Sequence, residues 1–353
     1  MFWAILLLMV GFVAFPEAVL SAAADGALTW WTRIVPALTP YLILTGLACK
    51  ANPNGLKIGK LHPYATGSLL LGALGGYPVG ARVLEQGLHS GALTPKQAQQ
   101  FSYASGLMSP AFLISVTALG LFKSRGAILP LCGSVYGVTL LVFLLFSLRK
   151  GNSPSLVRQR LSADDVTEAI SDGMQAILRI GGCILLCRCL GALLSCCSVS
   201  RLIARLLPVS EDTVSAIFAG LLEMTGGCTM AAALPIPFAW RLALCVFFQM
   251  FGGASVLLQV RSFLKIPSFG RYVLIRFCMA VVSALLCLLL CRLIPDQPVE
   301  AIASADELLH RAQTLLGLAI PCGVGLLSAV IFVIMTRPVP KSRILDDKRT
   351  KMC

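Results

Sequence analysis

The chain has 353 residues, 57% hydrophobic and 13% charged, with a mean hydropathy of +0.84, against roughly 25% charged residues in an average soluble domain. This composition excludes a soluble enzyme, a disordered chain and a secreted disulfide scaffold. The 29 Lys and Arg, set against 16 Asp and Glu, fall between apolar stretches, so they read as topology signals and lipid-headgroup contacts rather than as a nucleic-acid surface.

In chain order, the first element is an apolar helix from Met1 to about Leu20, followed by Ser21-Ala22-Ala23-Ala24. No Lys or Arg precedes its apolar core, which favours a retained helix over a cleaved signal peptide. Further apolar segments lie at 27–49, 65–81, 105–122, 127–148, 169–197, 214–234, 238–260, 272–294 and 315–335. Segment 65–81 holds Gly72, Gly75, Gly76, Pro78 and Gly80, and segment 214–234 holds Gly220, Glu223, Thr225, Gly226 and Gly227. Neither pattern suits an unbroken helix.

Loop charges test which segments cross. The tail with Arg337, Lys341, Arg343, Lys348, Arg349 and Lys351 belongs inside, and the preceding loop with Asp296, Glu300, Asp306 and Glu307 outside. The loops at Arg261–Arg271 and Arg149–Arg160 both require the inside, yet three segments separate them. The conflict disappears if 214–234 enters and leaves on one side, which membranes permit where the backbone is buried in protein or lines a cavity. Treating 65–81 likewise leaves only Lys123 and Arg125 misplaced.

The expected fold class is an all-α polytopic membrane protein with about eight transmembrane helices plus two re-entrant broken elements in an inverted repeat, transporter-like. The expected organisation is an N-terminal transmembrane helix over 1–26, a first repeat over 27–150, a cytoplasmic linker over 151–168 and a second repeat over 169–294. An external loop with the last helix covers 295–336 and a basic cytoplasmic tail 337–353. The two halves echo one another: 34 residues separate Gly72 from Gly106, and 32 separate Gly220 from Gly252.

Paired broken helices in inverted repeats place half-helix ends near the bilayer midplane, where free N–H and C=O groups bind solute or ion. The candidate substrate-binding residues are therefore Gly75, Gly76, Tyr77, Pro78, Gly80 and Arg82 in the first element, and Glu223, Thr225, Gly226 and Gly227 in the second. Ser109 and Pro110 start the helix after the first element, and Gln249 and Ser255 lie after the second. Glu223 is the sharpest of these, because an intramembrane carboxylate is expensive; its structural alternative is a helix-end carboxylate bonded to Thr225 or nearby N–H groups. Arg82 offers a fork for an anion or serves as a cytoplasmic topology charge. Arg179 and Arg188 read as snorkelling side chains.

Most of the fourteen cysteines lie in apolar stretches and read as packing residues. His62, His89 and His310 show no metal spacing. No catalytic site, metal or cofactor is expected, because Walker A, G-x-S-x-G and H-E-x-x-H patterns are all missing.

The run Gly75-Gly76-Tyr77-Pro78-Val79-Gly80-Ala81-Arg82, with Leu93-Thr94 and Ser109-Pro110, resembles the YlbJ-type sporulation integral membrane proteins, grouped with the nucleoside-recognition or GATE domain. Gly220-Leu221-Leu222-Glu223-Met224-Thr225 and Gly252-Gly253-Ala254-Ser255-Val256 are similar to that family's second domain. The resemblance implies a multi-pass cell-membrane protein of a spore former, linked to spore cortex or envelope formation, with a transporter-like fold. The expected activity is permeation of a small solute, anionic if Arg82 contacts it. The alternative is a non-transporting scaffold that recruits envelope-assembly partners. Expected partners are the solute, membrane lipids and, by analogy with repeat transporters, a second copy of the chain; nucleic acid is not among them.

Overall fold

The computed structural model describes residues 2–293, except 53–57, 59–60, 111, 148–160, 198 and 207–208. The chain divides into a unit over Met1–Pro298 and another over Val299–Cys353; all described residues lie in the first. The expected last helix, its external loop and the basic tail lie outside the described residues.

The described residues are helical, with no strand. Helix α1 (Phe2–Ala14) and α2 (Pro16–Thr29) meet at Phe15 and bend by 97°, so the first apolar stretch breaks before Leu20, where Pro16 starts a new helix. A π-helical turn at Trp30–Ile34 leads into α3 (Val35–Ala51). Together α2 and α3 run antiparallel along α8 (Ala163–Cys196). Asp25 meets Arg188, Trp30 donates its indole N–H to the carbonyl of Ile177 at 3.1 Å, and Lys50 meets Asp165. A Cβ on Gly181 would come within 2.6 Å of the Trp30 ring, so that glycine makes room for the indole. At its start, α8 is fixed by a reciprocal cap between Ser162 and Asp165.

Both glycine-rich segments are helical hairpins. The first pairs α4 (Pro63–Gly75) with α5 (Tyr77–His89). The chain reverses at Gly76, whose φ of 86° and ψ of −170° suit glycine alone. The two arms touch where a Cβ on Gly80 would lie 2.8 Å from the carbonyl oxygen of Ser68. The second hairpin pairs α10 (Glu211–Leu222) with α11 (Met224–Ala233) and turns at Glu223 in extended backbone. Its arms pack glycine on glycine: a Cβ on Gly227 would sit 2.1 Å from the Cα of Gly220. The amphipathic α9 (Val199–Leu206) lies between α8 and this hairpin in the chain.

Each hairpin precedes an interrupted helix and then a long one. After the first come α6 (Pro95–Ser105), a π-helical segment at Phe112–Leu121 and α7 (Ile128–Ser147). After the second come α12 (Phe238–Phe251), α13 (Gly253–Phe263) and α14 (Phe269–Leu293). Helices α7 and α14 pack on each other; α6 packs on α14 and α12 on α7. Among the described residues, four helical stretches are long and apolar enough to cross a membrane: α7, α8, α12 with α13, and α14; the bent α1–α2 pair would be a fifth. Shorter apolar helices lie at Leu38–Ala51 and Phe112–Leu121, in two more of the expected spans, and the last expected span lies outside the described residues.

Candidate functional site

The tips of the two hairpins approach each other at Gly252-Gly253. Both glycines have positive φ, 88° and 69°, which lets α12 pass into α13 without a side chain at the joint. A Cβ on Gly252 would lie 3.4 Å from the Tyr77 ring, which begins α5. On Gly253 it would lie 3.0 Å from the carbonyl oxygen of Gly220, three residues before the second tip.

A fully buried guanidinium holds this junction together. Arg276 of α14 is 0% exposed. Its Nη2 donates to the Tyr77 hydroxyl at 3.0 Å, and its Nη1 to the carbonyls of Gly106 at 2.9 Å and Tyr103 at 3.3 Å. It also donates to the carbonyl of Met250. No described carboxylate pairs with it. The carbonyls of Tyr103, Gly106 and Met250 end α6 and α12, where the helix dipole is negative, so two helix C-termini stand in for a counter-ion. Sequence reasoning did not single out Arg276. Its only signal was an arginine inside the apolar run of α14, close to the loop charge Arg271.

Glu223 occupies the tip of the second hairpin, 9% exposed. One carboxylate oxygen accepts from the N–H of Thr225 at 2.8 Å and the other from that of Gly226 at 2.9 Å, capping α11. The second oxygen also lies 3.4 Å from Arg188 Nη2, while Arg188 Nη1 donates to Asp25 at 3.0 Å. Arg188, read from sequence as a snorkelling side chain, thus joins two carboxylates. This triad lines a cavity of about 710 Å³ between α2, α8, α9, α10 and α11. Hydroxyls of Ser21, Thr29, Ser195, Ser215, Thr225 and Thr229 also line it.

Arg82 lies elsewhere, at a second cavity of about 180 Å³. It is buried against α8, with Nη2 3.3 Å from the carboxylate of Asp172 and Nη1 donating to the Asp172 carbonyl at 2.9 Å. The Arg82–Asp172 and Glu223–Arg188 contacts fall 16 positions apart on α8, about 24 Å of helix at 1.5 Å per residue. The predicted residues therefore do not share one cavity.

The others shape the breaks. Gly75 leaves room for Val79 and Tyr41, Gly76 makes the reversal, Gly80 admits the Ser105 carbonyl, and Gly227 lets the second hairpin close. Pro78 is in α5 by its backbone; its side chain lies outside the described residues. Ser109 accepts from the N–H of Phe112 at 3.3 Å, opening the π-helical segment, and Pro110 is exposed. Gln249 donates to the hydroxyl of Thr117 at 2.6 Å, linking α12 to that segment. Ser255 accepts from Gln259 at 3.3 Å within α13. Among the described residues, no group of three or more His, Cys, Asp or Glu side chains stands close enough to hold a metal.

No family model matches the chain, and no solved structure matches it. The chain is similar to the sporulation integral membrane protein YlbJ of Bacillus subtilis (strain 168), 20% identical over 296 residues that make up 72% of each chain.

Proposed function

We propose that this chain is a sporulation-associated permease of the cell membrane, with an inverted pair of hairpin repeats and its solute site at the Glu223 cavity. The carrying observation is a carboxylate at the tip of a broken apolar element, paired with Arg188 and facing a cavity rich in hydroxyls. Such a group in an apolar segment is costly and belongs to solute or ion pathways by default. The recurrence of hairpin, interrupted helix and long helix, and the levels at which the hairpins meet α8, support the repeat. The similarity to a sporulation integral membrane protein supports the setting.

The solute class follows from charge. Asp25 and Glu223 oppose a single Arg188, so the cavity is net negative and favours a small neutral, hydroxyl-bearing or cationic solute over an anion. Arg82, the residue that would favour an anion, is engaged by Asp172.

Two measurements test this reading. Glu223→Gln, expressed at the wild-type level in the native host lacking its own copy, should fail to restore sporulation. A single cysteine at Thr225, in a background stripped of native thiols, should react with a membrane-impermeant reagent and be protected by the solute class above. Full rescue by Glu223→Gln together with an inert Thr225→Cys would replace the permease with the scaffold reading.

A further inference from the structure

The cavity at the foot of α5 is built almost entirely from polar side chains, and most of them are unspent. Arg82 engages Asp172 through Nη1 and Nη2, while its buried Nε donates to no described acceptor. Glu85 lies within electrostatic reach of Arg82, His89 and Arg179, yet no described residue forms an ion pair or hydrogen bond with it. Arg179 lies over the Phe263 ring, its Cζ 5.8 Å from the centroid, and besides its electrostatic reach to Glu85 forms no ion pair or hydrogen bond with a described residue. The buried Oε1 of Gln86 receives no hydrogen bond. The α8 wall thus offers a guanidinium without an ion pair, and the α5 wall an unpaired carboxylate with the His89 imidazole one turn further on.

The depth of the cavity narrows its ligand. Asp172, Gln175 and Arg179 all fall in the first eleven residues of the apolar segment 169–197, whose other charged residue is Arg188. The cavity therefore lies at the edge of that run, the depth of lipid headgroups, with His89 and Arg179 exposed. At about 180 Å³ it is smaller than the roughly 300–1,000 Å³ of drug-sized sites, so it suits a headgroup-sized molecule.

We infer that this cavity binds a zwitterion carrying a phosphate oxyanion and a primary ammonium, the chemistry of phosphoethanolamine, whether free or as the headgroup of a bilayer lipid. The planar fork of Arg179, with His89, matches the phosphate. Glu85 accepts from the ammonium. A simple anion would leave Glu85 uncompensated and repelled, and a simple cation would leave Arg179 so. A quaternary ammonium has no N–H to give, so phosphocholine is the discriminating control.

The test uses the full chain purified in detergent. Native mass spectrometry after addition of phosphatidylethanolamine, phosphatidylcholine or phosphatidylglycerol should show retention of the first over each of the others by about tenfold, the worth of a charge-assisted hydrogen bond. Glu85→Gln should erase the preference over phosphatidylcholine, and Arg179→Gln should weaken phosphatidylethanolamine retention by a similar factor; both variants should keep the wild-type elution volume. Soluble phosphoethanolamine that displaces the lipid assigns the site to the headgroup alone. Lipid retention that resists such displacement assigns it to the membrane-borne form. Equal retention of all three lipids by the wild type, with no displacement by phosphoethanolamine, overturns the inference without reference to any variant.

Discussion

The Tyr77 hydroxyl accepts a 3.0 Å hydrogen bond from Arg276 Nη2 across 199 positions of sequence, with the guanidinium carbon 5.5 Å from the centre of the tyrosine ring. One side chain opens the second arm of the first hairpin and the other lies in the last described helix. The contact ties the first half of the chain to the second where both interrupted helices end.

This contact should be measurable as stability. Tyr77→Phe removes one hydrogen bond to a buried charge and should cost about 1.5–3 kcal/mol. Arg276→Leu should cost more, because it orphans the carbonyls of Tyr103, Gly106 and Met250 together. Thermal unfolding in detergent, followed by the loss of the monodisperse elution peak, ranks the two. An Arg276→Leu protein as stable as wild type would show that the guanidinium does not hold the junction.

The second hairpin depends on two glycines in contact. Gly227→Ala would place a Cβ 2.1 Å from the Cα of Gly220, with no flexible side chain to yield. It should destabilise by more than the usual ~1–3 kcal/mol of overpacking. The adjacent Gly226→Ala meets nothing nearer than the Glu223 carboxylate at 3.5 Å and should be close to neutral. Similar expression and thermal stability of the two variants would contradict the hairpin geometry.

Reversal at the first tip is a backbone requirement. Gly76→Ala should cost about 1–3 kcal/mol, because its φ and ψ lie in a region essentially closed to other residues. Gly91→Ala, at φ 71° in open space, enters the ordinary left-handed region and should cost only about 1–2 kcal/mol. Paired melting curves in one detergent separate them, and a larger loss at Gly91 would refute the assignment.

The end of α3 carries a pH-dependent tie to α8. The backbone N–H and hydroxyl of Ser162, and then Lys50, hold the Asp165 carboxyl below its ordinary value. Burial pulls Lys50 down, but hydrogen bonds and charge from Glu168 and Asp165 outweigh it and leave its pKa raised. A depressed carboxylate contributes stability above its unfolded pKa of about 4 and loses it as pH falls through the folded value. A raised lysine contributes below its unfolded value of about 10.4 and loses that as pH rises through the folded one. The tie should therefore be constant between about pH 5 and 10. Asp165→Asn should lower the melting midpoint at pH 7 and flatten its decline between pH 5 and 3; wild-type and variant curves that stay parallel would rule this out.

Residue identity alone determined the class of this protein and two of the places where its helices break, while the breaks at Phe15 and at Gly252-Gly253 went unread. Apolar runs of bilayer length leave little besides membrane helices, and glycines around Gly76 and Glu223 make unbroken helices there unfavourable. Glu223 also stood out, since a carboxylate in such a run is conspicuous without a structure. What these residues do depends on contacts between distant segments. Arg82 had two readings and Arg188 passed for a snorkelling side chain until Asp172 was found beside the first and Asp25 with Glu223 beside the second. Arg276 looked like another basic residue near a helix end, because hydropathy reports depth along one helix and says nothing of which face a neighbour covers. Only tertiary packing brought the ends of α6 and α12 to that face and gave a buried charge its compensation in main-chain carbonyls.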